Sequence, residues 1–184
     1  MTSKTAVATA ALVLAACAGT AAAETVCRAT VHSRFGETRA YFQNVLGACR
    51  PDGYCSAVVA LPDRTGQGVY AHQLRVARPT PGAPYVVEFV AVTPMSAGDG
   101  QPMSVTVGGQ AINLSALAFP TSPGTNEFRV SDHEAVRKLV AGFRRERTAR
   151  WVYRSEAGPT SAVFSLSGMS AALTWIDCMG VRRR

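Results

Sequence analysis

The stretch Val163-Phe164-Ser165-Leu166-Ser167-Gly168-Met169-Ser170-Ala171-Ala172-Leu173-Thr174-Trp175-Ile176-Asp177-Cys178 reads as a β-strand running directly into a short helix. Val163, Phe164 and Leu166 supply the strand; Met169, Ala172, Leu173 and Ile176 recur at i, i+3, i+4 and i+7, the spacing of one helix face. Ser167 stands at an N-cap position, and Gly180 where a helix would end. A closing helix of this kind needs a sheet to cover, and Cys178 needs a partner upstream.

The beginning of the chain is read as an export signal. Lys4 precedes an apolar run of Ala, Val and Leu through Ala16, and Ala21-Ala22-Ala23 offers a small-residue cleavage site. The run falls short of the ~20 apolar residues a spanning helix needs, so no transmembrane segment is expected. Cleavage after Ala23 would release a soluble periplasmic protein. Leu14-Ala15-Ala16-Cys17 also has the form of a bacterial lipobox, which would make Cys17 a lipidated N-terminus anchored at the outer membrane. Both routes give the same division: residues 1–23 as signal, 24–180 as one β-rich domain, and 181–184 as a basic tail, solvated and disordered.

Setting 23 residues aside from 184 leaves 161, the size of one domain. Removing Lys4 from the 19 basic residues leaves 18 against 12 acidic ones, a formal +6 carried almost wholly by arginine. Such a charge favours anionic envelope surfaces or acidic ligands.

Outside the signal the cysteines are Cys27, Cys49, Cys55 and Cys178, an even number in an exported chain, and they read as two disulfides. Four cysteines allow three pairings. Arg50-Pro51-Asp52-Gly53-Tyr54 between Cys49 and Cys55 carries a Pro-Asp-Gly turn that can bring those two sulfurs together, leaving Cys27 for Cys178.

Strand patterns fall at 25–32, 55–61, 69–78, 85–92, 128–130 and 150–154, while 41–49 fits strand and helix equally. Gly108-Gly109 between 103–107 and 111–114 is the plainest hairpin. Loops are expected at 62–68, 93–102 and 120–126, and a turn at Ala157-Gly158-Pro159. Ser131-Asp132-His133-Glu134 has the form of a capping box, with Ser131 as cap, and Val136, Leu139, Val140 and Phe143 give the following helix, about 132–146, one apolar face. The fold class is therefore mainly β (α+β): an antiparallel sandwich- or barrel-like sheet with two short amphipathic helices in the C-terminal part.

Few residues suggest chemistry. His32, His72 and His133 are scattered, no Cys-x-x-Cys occurs, and Ser167-Gly168-Met169-Ser170 is not a nucleophile elbow. No phosphate- or dinucleotide-binding glycine loop is present, so neither cofactor nor metal nor catalytic residue is expected. Arg137, Lys138, Arg144 and Arg145 lie off the apolar stripe of their helix and could offer a cationic strip to lipopolysaccharide, anionic lipid or nucleic acid. A solvated face is the commoner meaning of such charges, and the aromatic interleaving used for stacking bases is missing, so no nucleic-acid partner is expected. Trp151 and Trp175 each sit in an element with an apolar face and read as core.

The helix containing Gly142, the Arg150-Trp151-Val152 strand and Phe164-Ser165-Leu166-Ser167-Gly168-Met169-Ser170-Ala171-Ala172-Leu173 together resemble the C-terminal part of the invasion-associated locus B family of exported alphaproteobacterial proteins. Ala171-Ala172-Leu173-Thr174-Trp175-Ile176-Asp177 is more similar still to a sister family of periplasmic proteins defined as a domain of unknown function. Cys49-x5-Cys55-Ser56-Ala57 resembles the paired-cysteine segment of those domains, and Val105-Thr106-Val107-Gly108-Gly109 their central hairpin. Where the sister family ends in polar residues after Ile-Asp, this chain has Cys178-Met179-Gly180-Val181.

The resemblance implies a β-rich periplasmic domain without an enzymatic site and, in some members, an association with host-cell invasion. The function expected is that of a non-enzymatic envelope protein binding an envelope or host component, or an anionic envelope surface. An inhibitor of a secreted enzyme such as lysozyme is the alternative by fold analogy, and a hydrolase with an unrecognised site the third.

Overall fold

The computed structural model describes residues 24–63, 70–92, 102–115, 117–120, 127–130, 132–155 and 158–182. Residues 1–23, the expected signal segment with Cys17, most of the three stretches expected as loops, Ser131, Ala157 and Arg183-Arg184 lie outside these residues.

The described elements are β1 (Glu24–Val26), β2 (Ala29–Arg34), β3 (Glu37–Phe42), β4 (Val45–Cys49), β5 (Cys55–Leu61), β6 (His72–Arg78), β7 (Val86–Ala91), β8 (Met103–Val107), β9 (Gln110–Asn113), β10 (Ala118–Pro120), β11 (Glu127–Val130), α1 (His133–Arg145), β12 (Thr148–Ser155), β13 (Gly158–Ser165) and α2 (Met169–Arg182). Nine strands form one antiparallel sheet in the order β1-β2-β3-β4-β5-β6-β7-β11-β10; four form a second in the order β13-β12-β8-β9. The β-rich α+β class expected from the sequence is the class observed.

The two sheets meet through β7, β12 and β13: Phe89 stacks on Trp151 at 5.1 Å and lies 6.5 Å from Phe164. Helix α2 covers the inner face of β3, β4 and β5, and α1 lies over β7, β11 and β8, straddling the seam between the sheets. Period-two alternation explains the burial. Ala149, Trp151 and Tyr153 of β12 are buried, while Arg150 and Arg154 between and beyond them are exposed.

Several local expectations are corrected. The stretch 25–32 is not one strand: Cys27 and Arg28, at φ +52° and +65°, form a two-residue turn between β1 and β2. The ambiguous 41–49 is a hairpin whose turn is Gln43-Asn44, with Phe42 opposite Val45. Asp132, one residue later than expected, caps α1 by accepting the Ala135 N–H at 2.6 Å. That register puts Glu134 at N2, so it cannot close a capping box; it pairs instead with Lys138 at 2.7 Å, one helical turn on.

Gly168, whose carbonyl accepts the Ala172 N–H at 2.9 Å, is the residue before α2, so Ser167 lies one position outside the N-cap expected of it. The Ser167 carbonyl takes the Asn44 N–H at 3.2 Å, and the Met169 N–H reaches Leu166 O at 2.9 Å. Gly180 does not end α2. The helix runs to Arg182 with Gly180 buried, 3.8 Å from Pro81 Cα at the position a β-carbon would take, so the boundary expected at 180 falls inside a helix.

Candidate functional site

The four cations of α1 divide into two rows. At ~100° per residue, Arg137 and Arg144 come within about 20° of one another, and Lys138 and Arg145 form a second row about 100° round the helix. Lys138 is engaged by Glu134, and Arg145 is exposed in the last turn. Arg137 and Arg144 line a cleft of about 580 Å³ with Arg78, Tyr85, His133 and, as its apolar surface, Pro84, Val136, Val140 and Ala141.

One wall of this cleft is built around Asp177, two turns into α2. Arg78, the last residue of β6, donates from Nε to Asp177 Oδ1 at 2.9 Å, and Arg144 donates from Nη2 to Oδ2 at 2.9 Å. The Tyr85 hydroxyl donates to Oδ1 at 2.5 Å and accepts from Arg144 Nη2 at 3.2 Å. The Arg78 guanidinium lies 3.9 Å from the Tyr85 ring centroid and also donates to the Ala83 carbonyl, so it is held on three sides.

Burial first, and then the hydrogen bond to Asp177, push the Tyr85 phenol up to about 12, which keeps it a neutral donor at physiological pH. Among the described residues the cleft lining thus carries three guanidiniums and no carboxylate, while Asp177 behind it is shared between two of them.

A second groove, of about 440 Å³, lies on the outer face of the large sheet. Its centre is Glu88, 1 % exposed. Glu88 takes Arg129 Nε and Nη2 on Oε1 at 2.8 and 2.6 Å, and Arg75 Nη1 on Oε2 at 3.1 Å. Register dictates the cluster, since Arg75 and Arg129 stand directly opposite Glu88 on the flanking strands β6 and β11. Burial, with the charge of Glu88 second, raises the Tyr54 phenol at the groove's edge.

Disulfides join Cys27 to Cys178 and Cys49 to Cys55. Trp151 and Trp175 are both buried; Trp175 donates Nε1–H to the Val26 carbonyl at 3.1 Å, whereas Trp151 Nε1 has no hydrogen-bond partner among the described residues. Among the described residues, no group of three or more His, Cys, Asp or Glu side chains could hold a metal, and no helix is long and apolar enough to cross a membrane.

Arg78, Tyr85 and Asp177 were not singled out from the sequence. Nothing local marks them, because Asp177 lies 99 residues from Arg78. Glu88 did carry a mark: a lone carboxylate inside the apolar run Val86-Val87-Glu88-Phe89-Val90 needs partners if it is buried.

No family model matches the sequence, and no curated protein matches it. Among solved structures, the chain is similar to invasion associated protein B from Bartonella henselae, with a TM-score of 0.58 and 14 % identity over 79 % of this chain and 99 % of that one. At that identity the likeness is one of fold.

Proposed function

We propose that the chain is an exported, non-enzymatic protein of the cell envelope, of the invasion-associated locus B type, that acts by binding an anionic partner at the α1 cleft. The arginine-rimmed cleft carries this reading: Arg78, Arg137 and Arg144 surround an apolar surface whose lining, among the described residues, includes no acidic side chain. The fold shared with invasion associated protein B supports the envelope setting.

Export places the domain in the periplasm, released after Ala23 or anchored through Cys17. A fusion of the full chain to a phosphatase active only outside the cytoplasm tests this: activity is expected, and a silent, cytoplasmic fusion sinks the reading. Palmitate labelling distinguishes the two routes. Label lost in Cys17→Ala supports the anchor, and an unlabelled wild-type chain supports release.

A further inference from the structure

We infer that the α1 cleft is a binding site for a single-chain anionic amphiphile: one alkyl chain against Val136, Val140, Ala141 and Pro84, with a carboxylate or phosphate head held by Arg137 and Arg144. This deepens the binding role proposed above by naming the ligand's chemistry.

Three observations converge. The volume, about 580 Å³, suits a small ligand, and sites of that size are mostly apolar with a few placed polar groups, which is how this lining is composed. The rim has surplus positive charge, since Arg78, Arg137 and Arg144 line it while Asp177 is shared by Arg78 and Arg144 and Glu134, the carboxylate near Arg137, is paired with Lys138. The rim is also pre-ordered: Arg78 is fixed by the Tyr85 ring, the Ala83 carbonyl and Asp177, and Arg144 by Tyr85 and Asp177. A guanidinium fork matches a carboxylate or phosphate in two parallel hydrogen bonds, and holding the fork before the ligand arrives lowers the cost of ordering it. A small inorganic anion would leave the apolar surface uncovered, and an uncharged chain would leave the surplus positive charge of the rim unmatched. The amphiphile satisfies both.

The outer groove of the large sheet offers no equivalent, because Glu88 and Glu127 together match Arg75 and Arg129, and Glu37 pairs with Arg39.

The test is calorimetric titration of the purified, disulfide-bonded protein with dodecanoate and dodecyl phosphate below their micellar concentrations. An uncharged dodecyl ether, acetate and inorganic phosphate serve as comparisons. At least one of the two anionic chains is expected to bind, the uncharged ether about tenfold more weakly or worse, and the bare anions not measurably. The preferred head distinguishes a fatty acid from a phosphate-headed lipid as the source.

Arg137→Ser should weaken binding about tenfold, whereas Lys138→Ser, which removes the same charge one residue away and outside the lining, should leave it unchanged. Ala141→Phe, at an exposed helix position, should fill the cleft and abolish binding with the melting temperature retained. Equal binding of the ether, equal loss from Arg137→Ser and Lys138→Ser, or no binding of either anionic chain overturns the inference. None of these results bears on export, which the fusion experiment decides separately.

Discussion

Phe35 is a residue whose backbone and side chain serve different ends. It occupies the first loop position between β2 and β3 at φ +53°, followed by Gly36 at +74°, the pattern of a primed turn that favours Asn or Gly. Its ring is 78 % exposed and lies 4.8 Å from the Arg34 guanidinium and 5.3 Å from that of Arg39. Phe35→Asn and Phe35→Ala both remove the ring, so their difference isolates the backbone; the Asn variant should be more stable by about 0.5–1 kcal/mol in chemical denaturation. An Ala variant equal to it would show that the turn carries no strain.

Gly168 makes a sharper case. At φ +93°, a β-carbon placed on it would lie 1.8 Å from the Phe42 carbonyl oxygen, whereas Gly109, at +76°, has nothing within 4 Å. Gly109→Ala should cost about 1 kcal/mol from conformation alone, and Gly168→Ala well over about 2 kcal/mol because the turns themselves collide. Equal melting temperatures for the two variants would refute the close approach. The turn at Gly109 was legible from the sequence. The neighbour that separates it from Gly168 was not, since Phe42 is distant along the chain.

At the scale of elements, α2 is pinned at both ends. The turn before it rests on the β3–β4 hairpin, where Asn44 also donates from Nδ2 to Ser165 Oγ at 2.7 Å. Its far half is tied to the first strands by Cys27–Cys178 and by the Trp175–Val26 hydrogen bond. Removing a long loop closure releases more unfolded-state entropy than removing a short one. With sequence separations of 151 and 6, a Cys27→Ala/Cys178→Ala chain should lose up to about 5 kcal/mol and Cys49→Ala/Cys55→Ala up to about 2 kcal/mol. Urea unfolding of the two double variants measures the order, and a larger loss from the short loop would contradict it.

The helix periods of α1 and α2 were readable, as were the Gly108-Gly109 hairpin and the cores of most strands. The hairpins turned by Cys27-Arg28 and Gln43-Asn44 were not, because cysteine, arginine and glutamine have no turn preference strong enough to punctuate a strand. Sheet pairing there overrides local preference. Likewise the arginines of α1 were visible as a group, but their separation into a cleft row and a solvent row depends on what α1 packs against.

For the whole molecule, the join between the two sheets predicts a pH dependence. His72 of β6 hydrogen-bonds across it to the Tyr153 hydroxyl at 2.8 Å and meets the edge of Trp151 at 5.9 Å. Burial lowers the His72 pKa below its ordinary 6.5 and pushes the Tyr153 phenol up to about 12. The folded protein therefore binds the His72 proton less readily than the unfolded chain. This contribution to stability is complete above about pH 6.5 and is lost as pH falls below it toward the folded pKa. Melting between pH 7.5 and 5.5 should fall, and His72→Gln, which cannot titrate, should reduce that fall. An unchanged pH dependence in the variant would exclude His72 as its source.

Period, turn chemistry and cysteine number were enough to read a β-rich chain with two C-terminal helices, because each of these is written in neighbouring residues. The cleft was beyond that reach. It exists because Arg78, Tyr85, Arg144 and Asp177, drawn from β6, the segment before β7, α1 and α2, meet where the helices close over the sheets. Apolar burial drives that closure without specifying which polar side chains share the rim. The strand ending at Ser165 and the helix after it could be recognised from their own residues, but the charge that Asp177 brings to Arg78 and Arg144 has meaning only once the chain has brought residues 99 and 33 positions apart into contact.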